Sequence, residues 1–337
     1  MNEKQIDPKT SYPLVDVIKF LCAFLVVAIH VNPFYSYQSG ITKALYFGIR
    51  QYVARIAVPF YFAAAGFFLF RKIDLQDIDM FVIRTYVFKV LRLYAIWSIL
   101  LLVDDAYHLW YMSSLAVAIV FLSVLFKKKV SLNKIIVLSV FLYGIGLLGD
   151  SYYGVSLGLK KIGMIGNVIT AYEQTYGSTR NGIFMGAPFV LIGVLFAQKR
   201  ISIKQSVAIG GFLVSLALMF VEICLLRILG SPQNFNMFIM LVPTTIFLFG
   251  VATSVRSKPC RLCGRLRVVG TLIYYDHLFI NRLVAWGFRT FRGYFGANTS
   301  NSIAVFMLTI VLSTAVGFGI EWLSHKEKFT YLKWLYM

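Results

Sequence analysis

The chain has 337 residues, of which 59% are hydrophobic and only 14% are charged. An ordinary soluble domain carries roughly a quarter charged residues and has too little interior to bury so much apolar surface. The net charge of +19 would suit a nucleic-acid-binding protein, but the 33 Lys and Arg residues fall mainly between long apolar runs. We therefore expect a membrane protein whose partner is the lipid bilayer, and no nucleic acid.

Apolar runs of about 17 to 25 residues are long enough to cross the hydrocarbon core of a membrane as helices. The sequence predicts an all-α bundle of about ten transmembrane helices, so that 1–337 is a single membrane domain. The first run lacks a small-residue cleavage site, and we interpret it as a retained helix rather than a signal peptide. The predicted spans are 15–34, 53–70, 82–103, 109–126, 134–149, 182–198, 206–226, 236–253, 268–288 and 302–323.

The positive charges between these spans predict the orientation of the chain. With the N-terminus inside, the cytosolic turns hold more than twice as many Lys and Arg residues as the outer loops, which is the distribution that the positive-inside rule describes. We therefore expect a multi-pass protein of the bacterial cytoplasmic membrane with cytosolic terminal segments at 1–14 and 324–337. The longest outer loop is predicted at 150–181, and long loops in compact bundles are often functional.

The four cysteines do not form the disulfide framework of a small secreted protein, because Cys22 and Cys224 lie inside apolar helices. Cys260-x-x-Cys263 lies in a basic loop and has two interpretations, a disulfide or half of a metal site. No second pair of Cys or His residues lies nearby in the sequence, so we expect no metal site.

Ionisable residues within the predicted spans are the first functional candidates. A charge at the centre of a span costs on the order of 2.5 to 3.5 kcal/mol, so such residues normally face a wet cavity or a partner. Lys19 lies in the cytosolic part of the first span and His30 roughly 16 Å further along it, near the outer end. Asp276 and His277 lie about half-way along the ninth span and are interpreted as a structural or gating pair. The cations within or at the edges of spans are Lys19, Arg55, Arg84, Lys89, Arg92 and Arg282.

Several motifs occur in an order and spacing that resemble the acyltransferase-3 family of membrane acyltransferases. The sequence also resembles the membrane half of the membrane-bound serine racemases linked to vancomycin resistance. The motifs are Lys19-x10-His30, where acyltransferase-3 members usually carry Arg first, the run from Arg55 to Phe68, Lys89-x-x-Arg92, His108-Leu109-Trp110-Tyr111, Arg180 to Phe184, and Ile273 to His277.

The first resemblance implies a membrane O-acyltransferase. Such an enzyme moves an acyl group, commonly acetyl, from cytosolic acyl-CoA to a hydroxyl of an extracytoplasmic glycan or lipid-linked sugar in the cell envelope. Acyl-CoA, expected to be acetyl-CoA, is then a donor substrate and no cofactor is bound permanently; a homodimer is one expected assembly. His30 is the expected general base, Arg55 would stabilise the developing oxyanion, and His108 has either a catalytic or a structural role.

The same interpretation assigns binding roles to the remaining candidates. The phosphates of CoA are strongly negative, so the cytosolic cations are expected to attract them. Residues assigned to the donor are Lys19, Lys89, Arg92, Arg261 and Arg265, and residues assigned to the acceptor are Glu222, Asp276, His277, Tyr176 and Arg180.

Two other functions fit the same residues. Intramembrane charges also mark the pathways of substrates and protons in transporters, so a transporter-like module for a small molecule such as serine is one alternative. A non-catalytic protein of envelope assembly is the other. The second alternative predicts that His30 is dispensable.

Overall fold

The computed structural model describes residues 10–34, 39–101, 106–290 and 302–337. Within these ranges the secondary structure is helical, and the only extended pairing is an isolated antiparallel bridge between Ser11 and Ser257. The all-α fold class is therefore confirmed. Residues 1–9 of the predicted cytosolic segment lie outside the described residues.

The helices follow the apolar runs, and short π- or 3-10-helical stretches extend several of them. These stretches are Gly48–Tyr52, Val53–Ile56, Ala106–Leu109, Gly182–Gly186 and Glu327–Leu335. The α-helices of the described residues are α1 (Pro13–Val31), α2 (Gly40–Phe47), α3 (Ala57–Phe70), α4 (Met80–Leu100), α5 (Trp110–Lys127), α6 (Leu132–Leu148), α7 (Tyr153–Leu159), α8 (Gly163–Tyr176), α9 (Ala187–Ala197), α10 (Gln205–Ile228), α11 (Leu241–Ser254), α12 (Arg261–Thr290) and α13 (Ser302–Leu323).

Each predicted span coincides with a helical segment, but not every segment could cross a membrane by itself. Among the described residues, five helical stretches are long and apolar enough, and a sixth arises if α6 and α7, bent by 86°, are one broken span. Helices α9 and α11 are apolar but shorter, while α4 and α12 carry several charges. The protein is therefore helical with several apolar candidate spans, and the count of ten stays a prediction. The five stretches are Pro13–Val31, Gly40–Phe70, Tyr107–Lys127, Gln205–Ile228 and Ser302–Leu323.

The segment 150–181, predicted as a loop, contains the two helices α7 and α8. Its glycines weaken a helical pattern in the sequence, since glycine is a poor helix former. Contacts stabilise these helices instead: the Ser156 hydroxyl donates to the carbonyl of Leu148 at 2.6 Å, and Gly166 lies directly against the carbonyl of Lys160.

The chain divides into two compact units. The first consists of Met1–Val58, Arg92–Leu109 and Val255–Met337, and the second of Pro59–Leu91 and Trp110–Ser254. In the first unit, α1 and α13 both pack on α12. Buried small and branched side chains make this close packing possible, and phenylalanines surround them. Its core contains Ala23, Val27, Val269 and Ile273, with Phe20, Phe24, Phe306 and Phe318 around them.

In the second unit, α5, α6 and α9 pack on one another and on the stretch Gly182–Gly186, while α10 packs on α11. The ring of Phe249 is the centre of an aromatic cluster, with the rings of Phe60, Phe67 and Phe196 at centroid distances of 5.6, 5.5 and 5.2 Å. Edge-on aromatic packing of this kind fills the space between helices without polar atoms.

Candidate functional site

Three of the four histidines meet within the first unit. His30 lies in the last turn of α1, His108 in the short turn Ala106–Leu109, and His277 in the middle of α12. Their ring centroids are 6.0 Å apart for His30 and His108, 5.4 Å for His30 and His277, and 4.8 Å for His108 and His277. The structure therefore brings the two histidines predicted to be catalytic together with His277, which was assigned to the acceptor. We call these three residues the histidine cluster.

His277 is completely buried, and its own helix fixes its orientation. Its Nδ1 lies 2.9 Å from the carbonyl oxygen of Tyr274 and 3.0 Å from that of Ile273. Because a carbonyl only accepts, Nδ1 carries the proton and donates it, which leaves the lone pair on Nε2. Within the described residues, no hydrogen-bond partner reaches this buried Nε2.

The other members of the histidine cluster connect the buried ring to the surface. The Tyr274 hydroxyl of α12 donates to the carbonyl oxygen of His108 at 2.8 Å and so ties the turn Ala106–Leu109 to α12. His108 is buried, His30 is half-buried, and Tyr107 is 60% exposed. The Tyr107 hydroxyl lies 3.4 Å from Nδ1 of His30.

Imidazole is the side chain that most readily binds and releases a proton near neutral pH, and three such rings meet here. Two positive imidazoles 5.4 Å apart repel each other by about 3 kcal/mol at an effective dielectric constant of about 20. The histidine cluster therefore holds one positive charge far more readily than two. Within the described ranges, no group of three or more His, Cys, Asp or Glu side chains is arranged to hold a metal ion.

Asp276 and Lys19 also lie in the first unit, on α12 and α1. The Asp276 carboxyl is buried and interacts with the hydroxyl of Ser313 on α13. Lys19 is half-buried and interacts electrostatically with the carboxylate of Asp16. The interpretation of Asp276 and His277 as a gating pair stays a prediction.

Some of the cations assigned to the donor have partners within the first unit. Arg265 donates from Nε to the Glu321 carboxylate at 2.9 Å, which joins α12 to α13. The Arg92 guanidinium lies over the ring of Trp334, 4.6 Å from its centroid. Lys89, on α4, and Arg261, at the start of α12, are exposed. Binding of CoA phosphates by these residues stays a prediction.

Two further sequence candidates of the first unit have short-range partners. Arg55 donates to the side-chain oxygen of Gln51, one turn earlier in the chain. Cys260 and Cys263 form a disulfide at the start of α12, which selects the first of the two interpretations of this motif.

The remaining candidates lie in the second unit, as Lys89 does. The Glu222 carboxylate accepts the Tyr152 hydroxyl at 2.8 Å and the backbone N–H groups of Ile239 and Met240 at 2.7 and 2.8 Å, just before α11 begins. These hydrogen bonds give Glu222 a structural role, because a carboxylate stabilises the positive end of the helix dipole.

Arg180 and Tyr176 lie at the end of the segment 150–181. The Arg180 guanidinium lies over the Trp110 ring at 4.6 Å and donates to the side-chain oxygen of Asn236 at 3.2 Å. The Tyr176 ring is 70% exposed and lies 5.2 Å from that of Tyr172. The residues assigned to the acceptor are thus divided between the two units, with Asp276 and His277 in the first and the other three in the second.

Within the same segment, Lys160 and Glu173 join the two short helices. The Lys160 ammonium lies 2.5 Å from the Glu173 carboxylate. The hydrogen bond to Glu173, followed by one to Tyr153, raises the pKa of Lys160 above its ordinary value. This contact holds α7 and α8 together at the surface.

Sequence reasoning missed several residues of these sites. Tyr107 adjoins one quoted motif and Tyr274 lies within another, but only the fold brings their hydroxyls to His30 and to the carbonyl of His108. Asp150 is buried and accepts three hydrogen bonds from Asn236 and Met237 in the second unit. A carboxylate directly after an apolar run was the available signal for Asp150.

Comparison with known proteins identifies racemases as relatives. The chain is 29% identical over 273 residues to an amino-acid racemase of Enterococcus faecalis, in a match that covers 74% of this chain and 37% of the relative. It is 28% identical over 262 residues to a serine/alanine racemase of Enterococcus gallinarum, with 70% and 36% covered. The chain therefore spans little more than a third of the length of the curated relatives it matches. No family model and no solved structure matches the chain.

These relatives correct the predicted enzyme class. A racemase inverts the configuration of a carbon atom and transfers no acyl group, so the prediction of an acyltransferase is wrong. The resemblance to the serine racemases is confirmed as a sequence similarity. The acyltransferase interpretation relied on the order and spacing of several motifs across the chain. The ionisable residues in those motifs are equally typical of proton or substrate pathways.

Proposed function

We propose that this chain is a transport module of the bacterial cytoplasmic membrane that carries a small neutral amino acid of the serine and alanine class. The observation that carries the proposal is its similarity to amino-acid and serine/alanine racemases over 70 to 74% of its own length. The matched part is only 36 to 37% of each relative, so the similarity is to one region of a longer protein.

The fold supports transport rather than chemistry on the amino acid. Several helices are long and apolar enough to cross a membrane, and an ionisable residue inside such a bundle normally belongs to a pathway or a relay. A serine molecule carries a carboxylate, an ammonium group and a hydroxyl, all of which lose hydration inside the membrane. The carboxyl of Asp276 and the ring of His277, both buried in the first unit, offer such groups polar contacts in an apolar setting.

Counterflow exchange in liposomes tests the proposal. Purified protein is reconstituted into vesicles that are loaded with unlabelled L-serine, and the entry of radiolabelled L-serine or L-alanine from outside is measured. We expect uptake above that of protein-free vesicles, with competition by L-alanine and none by L-glutamate, whose extra charge must also be desolvated.

Paired variants connect this exchange to the first unit. Asp276→Asn is expected to reduce exchange at least about tenfold, which corresponds to the loss of one charge-assisted contact. Asp77→Asn, in an exposed turn of the second unit, removes the same charge and is expected to exchange normally. Uptake no greater than that of empty vesicles, for every small neutral amino acid offered, would refute the transport function.

A further inference from the structure

The histidine cluster contains a proton-accepting atom for which the described residues provide no partner. His277 is fully buried, its Nδ1 donates to backbone carbonyls, and its Nε2 has no hydrogen bond from any described residue. A buried polar atom in a native structure normally has a partner, so one without any is an indication of a ligand. An imidazole nitrogen that keeps its lone pair is a reversible proton acceptor.

Ionisable rings lie next to the His277 ring, and one of them is in contact with an exposed tyrosine. The exposed Tyr107 hydroxyl lies 3.4 Å from the His30 ring nitrogen, and the His30 and His277 rings are 5.4 Å apart at their centroids. His108 closes the triangle at 4.8 Å from His277. Chains of such groups carry protons in pumps and transporters.

The ionisable groups around His277 come from α1, from the turn Ala106–Leu109 and from α12 itself. Helix α1 contributes His30, and the turn Ala106–Leu109 contributes His108 and Tyr107. On α12 itself, the Tyr274 hydroxyl is engaged by the carbonyl of His108, and Asp276 is the adjacent residue.

Two other acidic groups on these helices form ion pairs elsewhere in the first unit. On α13, Glu321 pairs with Arg265, while Ser313 lies beside Asp276. On α1, Asp16 lies 3.9 Å from Arg267. The rings of His30 and His108 are in contact with the ring of His277, at centroid distances of 5.4 and 4.8 Å.

We infer that the histidine cluster binds one proton at a time and couples the movement of the amino acid to the movement of that proton. The inference rests on the proposed transport function and adds the coupling ion and the residue that binds it. Only one proton binds at a time, because a second positive ring 4.8 to 6.0 Å away would be repelled by the first.

The coupling follows from simple electrostatics. A proton that arrives through Tyr107 and His30 forms an N–H bond at Nε2 of His277 and gives the cluster a positive charge. That charge attracts the carboxylate of the amino acid and is removed when the N–H bond breaks on the other side. No electron is transferred, and one proton enters and leaves in each cycle.

Proton-driven accumulation tests this coupling. Vesicles with the wild-type protein receive labelled L-serine under an inward proton gradient, with the membrane potential clamped at zero. One-to-one coupling predicts accumulation of up to about tenfold for each pH unit of gradient. His277→Gln, which keeps the size but cannot be protonated in this range, is expected to reduce that accumulation ratio to about one. His325→Gln, which changes the fourth histidine, is the matched control and should accumulate serine as the wild type does.

A direct measurement of proton binding separates this inference from the transport function. The chain has four histidines, so ¹⁵N-histidine NMR of the protein in nanodiscs is assignable by single His→Gln variants. We expect the resonances of His30, His108 and His277 to change together with the uptake of one proton. If serine counterflow fails but the three histidines still titrate together, the transport function is refuted and the proton site remains.

Several outcomes would overturn the inference itself. Serine counterflow without any effect of the proton gradient would do so, as would gradient-driven accumulation by His277→Gln. If His277→Gln does not fold, as judged by size-exclusion chromatography, the NMR titration of the wild type decides alone, and three independent titrations would then contradict the shared proton.

Discussion

Asp150 illustrates how one buried carboxylate determines local structure in this protein. Its Oδ1 accepts the backbone N–H groups of Asn236 and Met237 at 2.7 and 3.0 Å, and its Oδ2 accepts the Asn236 side-chain amide at 2.8 Å. The oxygen of that same amide accepts Arg180. The Asp150 side chain, together with the hydroxyls of Tyr143 and Ser151, therefore holds the chain before α11 to the end of α6.

Replacing Asp150 is expected to destabilise the protein in proportion to the donors it leaves unpaired. Asp150→Ala orphans three donors, each worth about 1 to 3 kcal/mol when buried, so we expect a loss of at least about 3 kcal/mol. Asp150→Asn should cost less, because its one oxygen still serves the two backbone N–H groups. Thermal unfolding in detergent measures both, with the exposed Asp77→Ala as control; an unchanged midpoint for Asp150→Ala would contradict the network.

At the scale of elements, α3 and α9 approach closely because both have glycine at their contact. A Cβ atom at Gly193 would collide with the carbonyl oxygen of Ala63, and one at Gly66 with that of Val190. Small residues permit such approach between helices in membranes, where packing rather than the hydrophobic effect favours association. The apolar sequence of α9 predicted a span, but not this partner.

A larger side chain at this contact is expected to push α3 and α9 apart. Gly193→Ala should lower stability by about 1 to 3 kcal/mol through overpacking. Gly144→Ala in α6 meets no atom within 4 Å and should be neutral or stabilising by up to about 1 kcal/mol, since alanine is the better helix former. Thermal unfolding of the two variants side by side measures the difference, and equal midpoints would show that α3 and α9 can move apart freely.

At the scale of the whole molecule, the distribution of cations is the basis of the predicted topology. The end of α5 and the turn after it contain Lys127, Lys128 and Lys129 and are expected in the cytosol. The segment between α7 and α8 is expected outside. The contacts within each unit do not depend on this orientation. The orientation of the chain in the membrane therefore has to be measured separately.

Single-cysteine labelling tests the orientation directly. In a background without native cysteines, Lys128→Cys should react with a membrane-impermeant maleimide only after the cells are opened, and Lys161→Cys in intact cells. Both positions are exposed in the structure, so access to the reagent depends on the side of the membrane. Reaction of both in intact cells, or of neither, would exclude the predicted topology.

The sequence by itself determined that this is a helical membrane protein and where its main helices lie. Both properties depend on local quantities, because the length of an apolar run is compared with the thickness of a bilayer. The same local pattern could not show that 150–181 forms α7 and α8, because part of their support is distant in sequence: the Gly154 N–H donates to the carbonyl of Ser231 at 2.9 Å.

The tertiary structure alone decided which ionisable residues act together. His30, His108 and His277 lie far apart in the sequence and on different elements, and only the packing of α1 and the turn Ala106–Leu109 on α12 brings their rings within 6.0 Å. Arg180 and Glu222 were assigned to the same site from the sequence. Both residues and their hydrogen-bond partners lie in the second unit, whereas the histidine cluster lies in the first. The physical reason is that a residue type and its depth in a span are encoded locally, whereas its neighbours depend on how helices from distant parts of the chain pack.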